Sequence, residues 1–272
     1  MPRLASRSRP NTLRGDLHVH SSHSACDHEV GSLFSRDTAC GRSAIAEMAA
    51  LTKDGGMEYF ALVNHASDPA RPHYADRLVN EKILYHLHEI ILYNARRPHG
   101  SAAVLAGVEA SVLDYGDLDV DNHILSHLDV VIVSRHGGPH QLPARITANF
   151  LKVMENPHVD ILGHPTRYLD ALSEANWERI MQKAVVTDTA IEFNLRIPFD
   201  ERLARLAAQT GVMISLGSDT HRETRGQGIV VSKRNARART LIRQLLAVGV
   251  KTRQILNLKP LPTLLAWLQR RT

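Results

Sequence analysis

The sequence predicts an α/β protein in which seven parallel strands alternate with helices and close, or nearly close, into a barrel. Three observations predict it. Short apolar runs alternate with longer amphipathic stretches along the chain. Most of the short runs are apolar on both faces, as in LDVVIVS and TAIEFN, the pattern of parallel strands covered by helices. Nearly every run ends on His, Asp or Glu. The length of 272 residues also suits one (β/α) barrel domain of about 250 residues. A doubly wound open sheet is the main structural rival, and the lack of a GxGxxG after any strand weakens its dinucleotide-binding version.

In order, the first strand covers 15–20 and carries Asp16-Leu17-His18-Val19-His20. A helix over 43–53 follows, with Ile45, Met48, Ala49 and Leu51 at helical spacing. The second strand, 59–64, leads into His65 and then a long helix, 74–96, with Leu84, Leu87 and Ile91 along one side. The third strand, 103–110, contains Glu109, and the fourth, 130–134, runs into Arg135-His136. A helix over 145–155, a fifth strand over 160–163 ending at His164, and a helix over 174–183 come next. The sixth strand is 190–194, followed by a helix over 200–209; the seventh, 212–217, runs into Asp219-Thr220-His221. Helices over 236–248 and 261–271 complete the chain. Residues 1–13 are expected to form a disordered basic arm, and 14–272 a single domain. The segment 66–100, with His73, Tyr74 and Arg77, reads equally as a lid or pocket wall and as a barrel helix after a long loop.

A hydrophobic content of 43% with 22% charged residues argues against disorder as the main state. No uninterrupted apolar run is long enough to span a membrane. The N-terminus is basic and Ser-rich without an apolar centre, unlike a secretory signal. Two cysteines, Cys26 and Cys40, exclude a disulfide framework and fit a reducing cytoplasm. The net charge of +5 and pI near 9.4 suit anionic partners, phosphorylated substrates or nucleic acid, although a solvated helix face and a basic arm would look the same. Aromatic residues, at 5%, are scarce for stacking single-stranded bases. Oligomeric state is not legible.

The sixteen histidines are concentrated in compact motifs. Side chains two apart on a strand project together, so His18 and His20 form one chelating pair. Glu109 lies in an apolar stretch, where a carboxylate is costly to bury without a partner or a cation. In a parallel barrel the C-terminal strand ends share one mouth, so His18, His20, His65, Glu109, His136, His164, Asp219 and His221 would meet there. Imidazole plus carboxylate without paired thiolates suits zinc, iron or manganese. The set exceeds what one ion coordinates, so two or three divalent ions are expected. Glu109 and Asp219 are best placed to bridge them at about 3.5–4 Å.

The ordered motifs DLHVHSSHS, LVNH, GVEASVLD, VIVSRHG, ILGHPTR, IEFN and SLGSDTH, spread over residues 16–221, resemble the PHP (polymerase and histidinol phosphatase) superfamily. The resemblance implies a distorted seven-stranded (β/α) barrel with a trinuclear site at the C-terminal strand ends. It implies ligand roles for the eight residues above, a catalytic role for Glu109, Asp219 and His221, and attack of a metal-bound hydroxide on phosphorus. The family supplies a further ligand soon after the HxH pair; here Asp27 is the first choice, with His28 and Cys26 behind it. Asn64-His65 replaces the family's Asp-His, which implies an altered outer hydrogen bond to a ligand rather than a lost ion. HPTRYL and the ending GVKTRQILNLKPLPTLLAWLQRR resemble the PHP domain of bacterial X-family DNA polymerases. Only residues 1–14 precede the first strand, so polymerase activity is not expected. Arg167 and Arg222, then Arg135 and Arg196, lie beside the motifs as candidate phosphate clamps, with structural ion pairs as the alternative reading.

The resulting expectation is a hydrolase acting on phosphomonoesters. A nuclease or a phosphodiesterase that processes DNA 3′ ends is the alternative, and a non-catalytic metal-binding domain is third.

Overall fold

The computed structural model describes residues 12–21, 44–67, 77–136, 142–221 and 228–271. The expected arm, 1–13, and the residues Cys26, Asp27, His28, His73, Tyr74 and Arg222 lie wholly or mostly outside that set. Seven strands form one parallel sheet in sequential order: β1 (Gly15–Val19), β2 (Tyr59–His65), β3 (Ala103–Ser111), β4 (Val130–Ser134), β5 (Ile161–Leu162), β6 (Ala190–Asn194) and β7 (Ile214–Gly217). The helices are α1 (Ile45–Asp54), α2 (Arg77–Arg96), α3 (Asn122–Leu125), α4 (Pro143–Val153), α5 (Glu174–Val186), α6 (Glu201–Thr210), α7 (Gly228–Ala247) and α8 (Leu261–Leu268). Helix α7 begins earlier than the expected 236; Ile229, Val230 and Val231 are β-branched and read poorly as helix, which hid its first turns in the sequence. None of the described helices is long and apolar enough to cross a membrane.

The sheet closes into a barrel where β7 returns to β1. Just beyond β7, Asp219 N donates to His18 O and His20 N donates to Thr220 O, both at 2.9 Å, around a parallel bridge between Val19 and Thr220. Lower on the same seam, Asn257 takes the place of a strand neighbour. Its Nδ2 donates to Gly15 O and Leu216 O, at 3.0 and 2.8 Å, and its Oδ1 accepts from Leu216 N at 2.7 Å. Asn257→Ala would strand several fully buried backbone groups, at about 1–3 kcal/mol for each such group. Urea unfolding should therefore show a loss on the order of 3 kcal/mol. A loss under about 1 kcal/mol would mean that the seam closes without this side chain.

Inside the barrel, Leu17, Tyr59, Ala61, Val63, Ala103, Leu105, Val130, Ile132, Ile161 and Ala190 form one cluster, sealed below by Leu256, Leu264 and Leu268. Strand alternation then assigns the next inward positions: His65 after Val63, Glu109 after Leu105 and Gly107, His136 after Ile132 and Ser134, and Glu192 after Ala190. The barrel interior also alternates bulk between strands. A Cβ at Gly163 would overlap Ser134 Oγ, and one at Gly217 would overlap Glu192 Oε1, so bulk from β4 and β6 fills space that β5 and β7 leave open. Helices pack on the outside over Val108, Val131, Val133, Ile191, Ile214 and Leu216.

Two departures from simple alternation aim further side chains inward. β1 shifts register against β2 between Asp16 and Val19, opposing two residues to one, as in a bulge. Leu17 can therefore join the interior cluster while His18 and His20 also face inward. Asp16 Oδ1 braces the irregularity by accepting from His18 N and Ser218 N, both at 3.2 Å. At the other strand ends, His164 and Asp219 adopt left-handed backbone, with φ of 29° and 50°. Such conformations are disfavoured for residues with a Cβ and concentrate at functional sites.

Candidate metal centre

The anticipated ligands that lie among the described residues converge at the C-terminal mouth of the barrel. β2 and β3 pair in register, with His65 opposite Glu109, so strand pairing alone makes them neighbours. Glu109 is fully buried at the centre. Its Oε1 lies 2.9 Å from His164 Nε2 and 3.4 Å from His136 Nε2. Its Oε2 lies 3.0 Å from His65 Nδ1, 3.3 Å from His18 Nε2 and 3.4 Å from His20 Nε2. One carboxylate thus separates two sets of imidazoles. Asp219 Oδ1 stands 3.2 Å from His221 Nδ1 and 3.7 Å from His20 Nε2. The His20 ring stacks on that of His221 with centroids 4.2 Å apart.

Burial and crowding set the protonation of this cluster. Burial holds His20 well below the ordinary histidine value, and neighbouring His65 pushes the same way. His65 and His221 are lowered chiefly by burial. His18 is the exception: burial alone would lower it, but Glu192 and Glu109 outweigh that and raise it well above 6.5. For Glu109 burial works upward, and the surrounding histidines overcome it and hold the carboxyl well below its ordinary value.

The residues fit divalent ions. His18 and His20 are buried with their Nε2 atoms 3.2 Å apart, and among the described residues Glu109 Oε2 accepts no hydrogen bond. Converging acceptors in a buried site are costly unless a cation lies among them. Ligand atoms within 4.8 Å of one another define four overlapping groups: His18, Glu109 and His164; His18, His20 and Asp219; His65, Glu109 and His136; and His20, His65 and His221. Glu109, His18, His20 and His65 each belong to two groups, so the set can hold more than one ion. The last group contains imidazole alone among the described residues; Asp27, the expected extra ligand, lies outside them, as do His28 and Cys26.

The arginines divide. Arg196 Nη1 donates to Asp219 O at 3.1 Å and lies 3.7 Å from Asp219 Oδ2, while Arg167 Nη2 reaches the same oxygen at 3.9 Å. Both side chains are about half-exposed, so they border the mouth. Arg135 is buried, and its guanidinium sits 5.9 Å from the ring centre of Tyr168, which packs among the helix-facing residues. Arg222 is outside the described residues. Asn64 Oδ1 accepts from Ser21 N at 2.7 Å and Ser21 Oγ at 3.2 Å. Asn64 Nδ2 in turn donates to Ser21 Oγ at 3.0 Å, so Asn64 holds both the backbone and the hydroxyl of the residue after His20.

Sequence reasoning passed over Glu192. It is fully buried on β6, with Oε1 at 2.7 Å from His18 Nδ1 and Oε2 accepting from His164 N at 2.7 Å. The signal was present: a Glu inside the apolar run TAIEFN raises the same question as Glu109. Lys82 was also missed. Its Nζ donates to His65 O at 3.0 Å, and burial lowers its pKa to about 8. A lone Lys on an amphipathic helix carries no sequence signal for that role.

These features define a (β/α) barrel with a buried histidine–carboxylate centre at its mouth. No family model matches the chain, and no curated protein does. Among solved structures, the chain is similar in fold to histidinol phosphate phosphatase from Lactococcus lactis subsp. lactis Il1403, solved with zinc, L-histidinol and phosphate. The TM-score is 0.55 at 15% identity, covering 88% of this chain and 95% of that one.

Proposed function

We propose that this protein is a metal-dependent phosphoesterase of the PHP superfamily that hydrolyses phosphomonoesters. The observation that carries the reading is Glu109, which is buried in the barrel mouth with its two oxygens facing separate imidazole sets. Zinc, L-histidinol and phosphate in the similar structure favour a small phosphorylated substrate, and zinc among the candidate ions, with manganese or iron as alternatives. Divalent ions bound here would neutralise phosphoryl charge and activate water near neutral pH.

The chain's own residues supply the rest. Glu109 and Asp219 set the negative charge that holds the ions, and burial keeps His20 and His65 neutral, as ligands must be. Arg167 and Arg196 place cationic donors on the solvent side of Asp219, where a phosphate oxygen would arrive. His221, partly exposed beside Arg196, would face an incoming phosphate ester.

The test is phosphate release from p-nitrophenyl phosphate and from a panel of sugar and nucleoside phosphates, using protein loaded with zinc or manganese. Release abolished by a chelator and restored by metal is expected. Metal-loaded protein that releases phosphate from no monoester overturns the reading.

A diesterase acting on nucleic acid is the second reading, favoured by one observation. From Arg225 to Thr272 the chain carries many Arg and Lys and no Asp or Glu. Exposed Arg237, Arg239, Arg243, Lys251 and Arg253 belong to this stretch and suit a phosphate backbone. A labelled oligonucleotide incubated beside the monoester decides between them: cleavage of the oligonucleotide with no monoester turnover selects the second.

A further inference from the structure

We propose that Glu192 is a positioning residue shared by two metal positions: it binds no ion but orients His18 through its ring and His164 through its backbone. The inference rests on the metal-centre reading above and goes beyond it, since Glu192 lies below the ligand atoms and has both oxygens engaged.

The geometry is specific. His18 offers Nε2 to the cluster, 3.2 Å from His20 Nε2 and 3.3 Å from Glu109 Oε2, and it belongs to two of the candidate ligand groups. A hydrogen bond from Nδ1 to Glu192 Oε1 keeps the proton on Nδ1, so that Nε2 presents its lone pair to a cation. The second oxygen, Oε2, accepts from His164 N at 2.7 Å and from Asn194 Nδ2 at 3.3 Å. His164 is the residue held in left-handed backbone, and its Nε2 reaches Glu109 Oε1 at 2.9 Å. A charge-assisted bond to the amide of a strained residue stabilises the turn that aims its ring. One carboxylate therefore fixes a ligand on β1 and another after β5.

Gly217 is the third component. A Cβ there would overlap Glu192 Oε1 and crowd His18 Cβ, so the inward face of β7 must be bare for the carboxylate to sit under His18. The sequence SLGSDTH thus carries both a ligand, Asp219, and the space that another ligand's support requires.

Glu192→Gln keeps the volume but supplies one acceptor oxygen in place of two, so an amide N–H must face either His18 Nδ1–H or His164 N–H. Gly217→Ala keeps the carboxylate and displaces it. Zinc affinity, measured by chelator competition, is expected to fall about 10–100-fold in both variants. Gly15→Ala serves as control: its methyl would press on the Tyr59 ring, low in the barrel, and should lower the melting temperature without changing zinc affinity. In the zinc-loaded wild type, a downfield Nδ1–H proton resonance of His18 is expected, and it should vanish in Glu192→Ala. Wild-type zinc affinity in both Glu192→Gln and Gly217→Ala overturns the proposal, as does an equal loss in Gly15→Ala. If the wild type itself binds no zinc, the metal-centre reading fails and takes this one with it.

Discussion

Replacing Glu109 by Gln is expected to abolish turnover and release most of the bound metal. The substitution removes the central charge at nearly constant volume. Among the described residues, five imidazole nitrogens lie within 3.4 Å of its two oxygens, so an amide N–H would be forced against some of them. Charge stabilisation by bound ions contributes several kcal/mol to such transition states, and each 1.36 kcal/mol is tenfold in rate, so a loss of about 10³-fold or more is expected. Metal content by elemental analysis should fall in parallel. Retention of full metal content with unchanged kcat would show that Glu109 does not bridge the sets it separates, and the hydrolase reading would lose its main support.

The second large effect is on stability. An ion present at about a thousand times its Kd stabilises the folded chain by about 4 kcal/mol, and each kcal/mol shifts Tm by about 2–4 °C at this size. Stripping the metal should therefore lower Tm by roughly 10 °C at neutral pH. The metal-free protein should then weaken further as pH falls. His20, His65 and His221 have folded pKa values below their unfolded value of 6.5, so the unfolded chain binds more protons between the two. Stability from these groups is present above pH 6.5 and is lost as pH falls through 6.5 toward the folded values. His18 has the opposite sign: its contribution is complete below pH 6.5 and fades as pH rises through its raised folded value. Three groups act against one, so Tm of the chelated protein should drop between pH 7 and pH 5.5. A flat or rising Tm over that interval would contradict the burial that lowers these histidines.

Much of the fold was legible because its signals are local. Apolar runs bounded by polar loops located all seven strands, and the inward positions follow from two-residue alternation once one interior residue of each strand is known. His65, Glu109 and His136 fall on that alternation, so their convergence needed only the barrel. Element ends were less legible. The fifth strand contracts to Ile161–Leu162, where pairing overrides local preference, and α7 extends back to Gly228 through β-branched residues that read poorly as helix.

The sequence by itself determined the alternating architecture, the residue types at the strand ends and hence a site rich in imidazole and carboxylate. Each of those is a property of a residue and its near neighbours along the chain. The tertiary structure alone decided which oxygen of Glu109 faces which histidines, that the β1 bulge turns His18 inward, and that Glu192 lies between His18 and His164. It also placed Asn257 across the seam between Gly15 and Leu216. These depend on contacts between residues dozens to hundreds of positions apart. Distance and direction across a closed barrel come from strand register and closure, which no local pattern encodes.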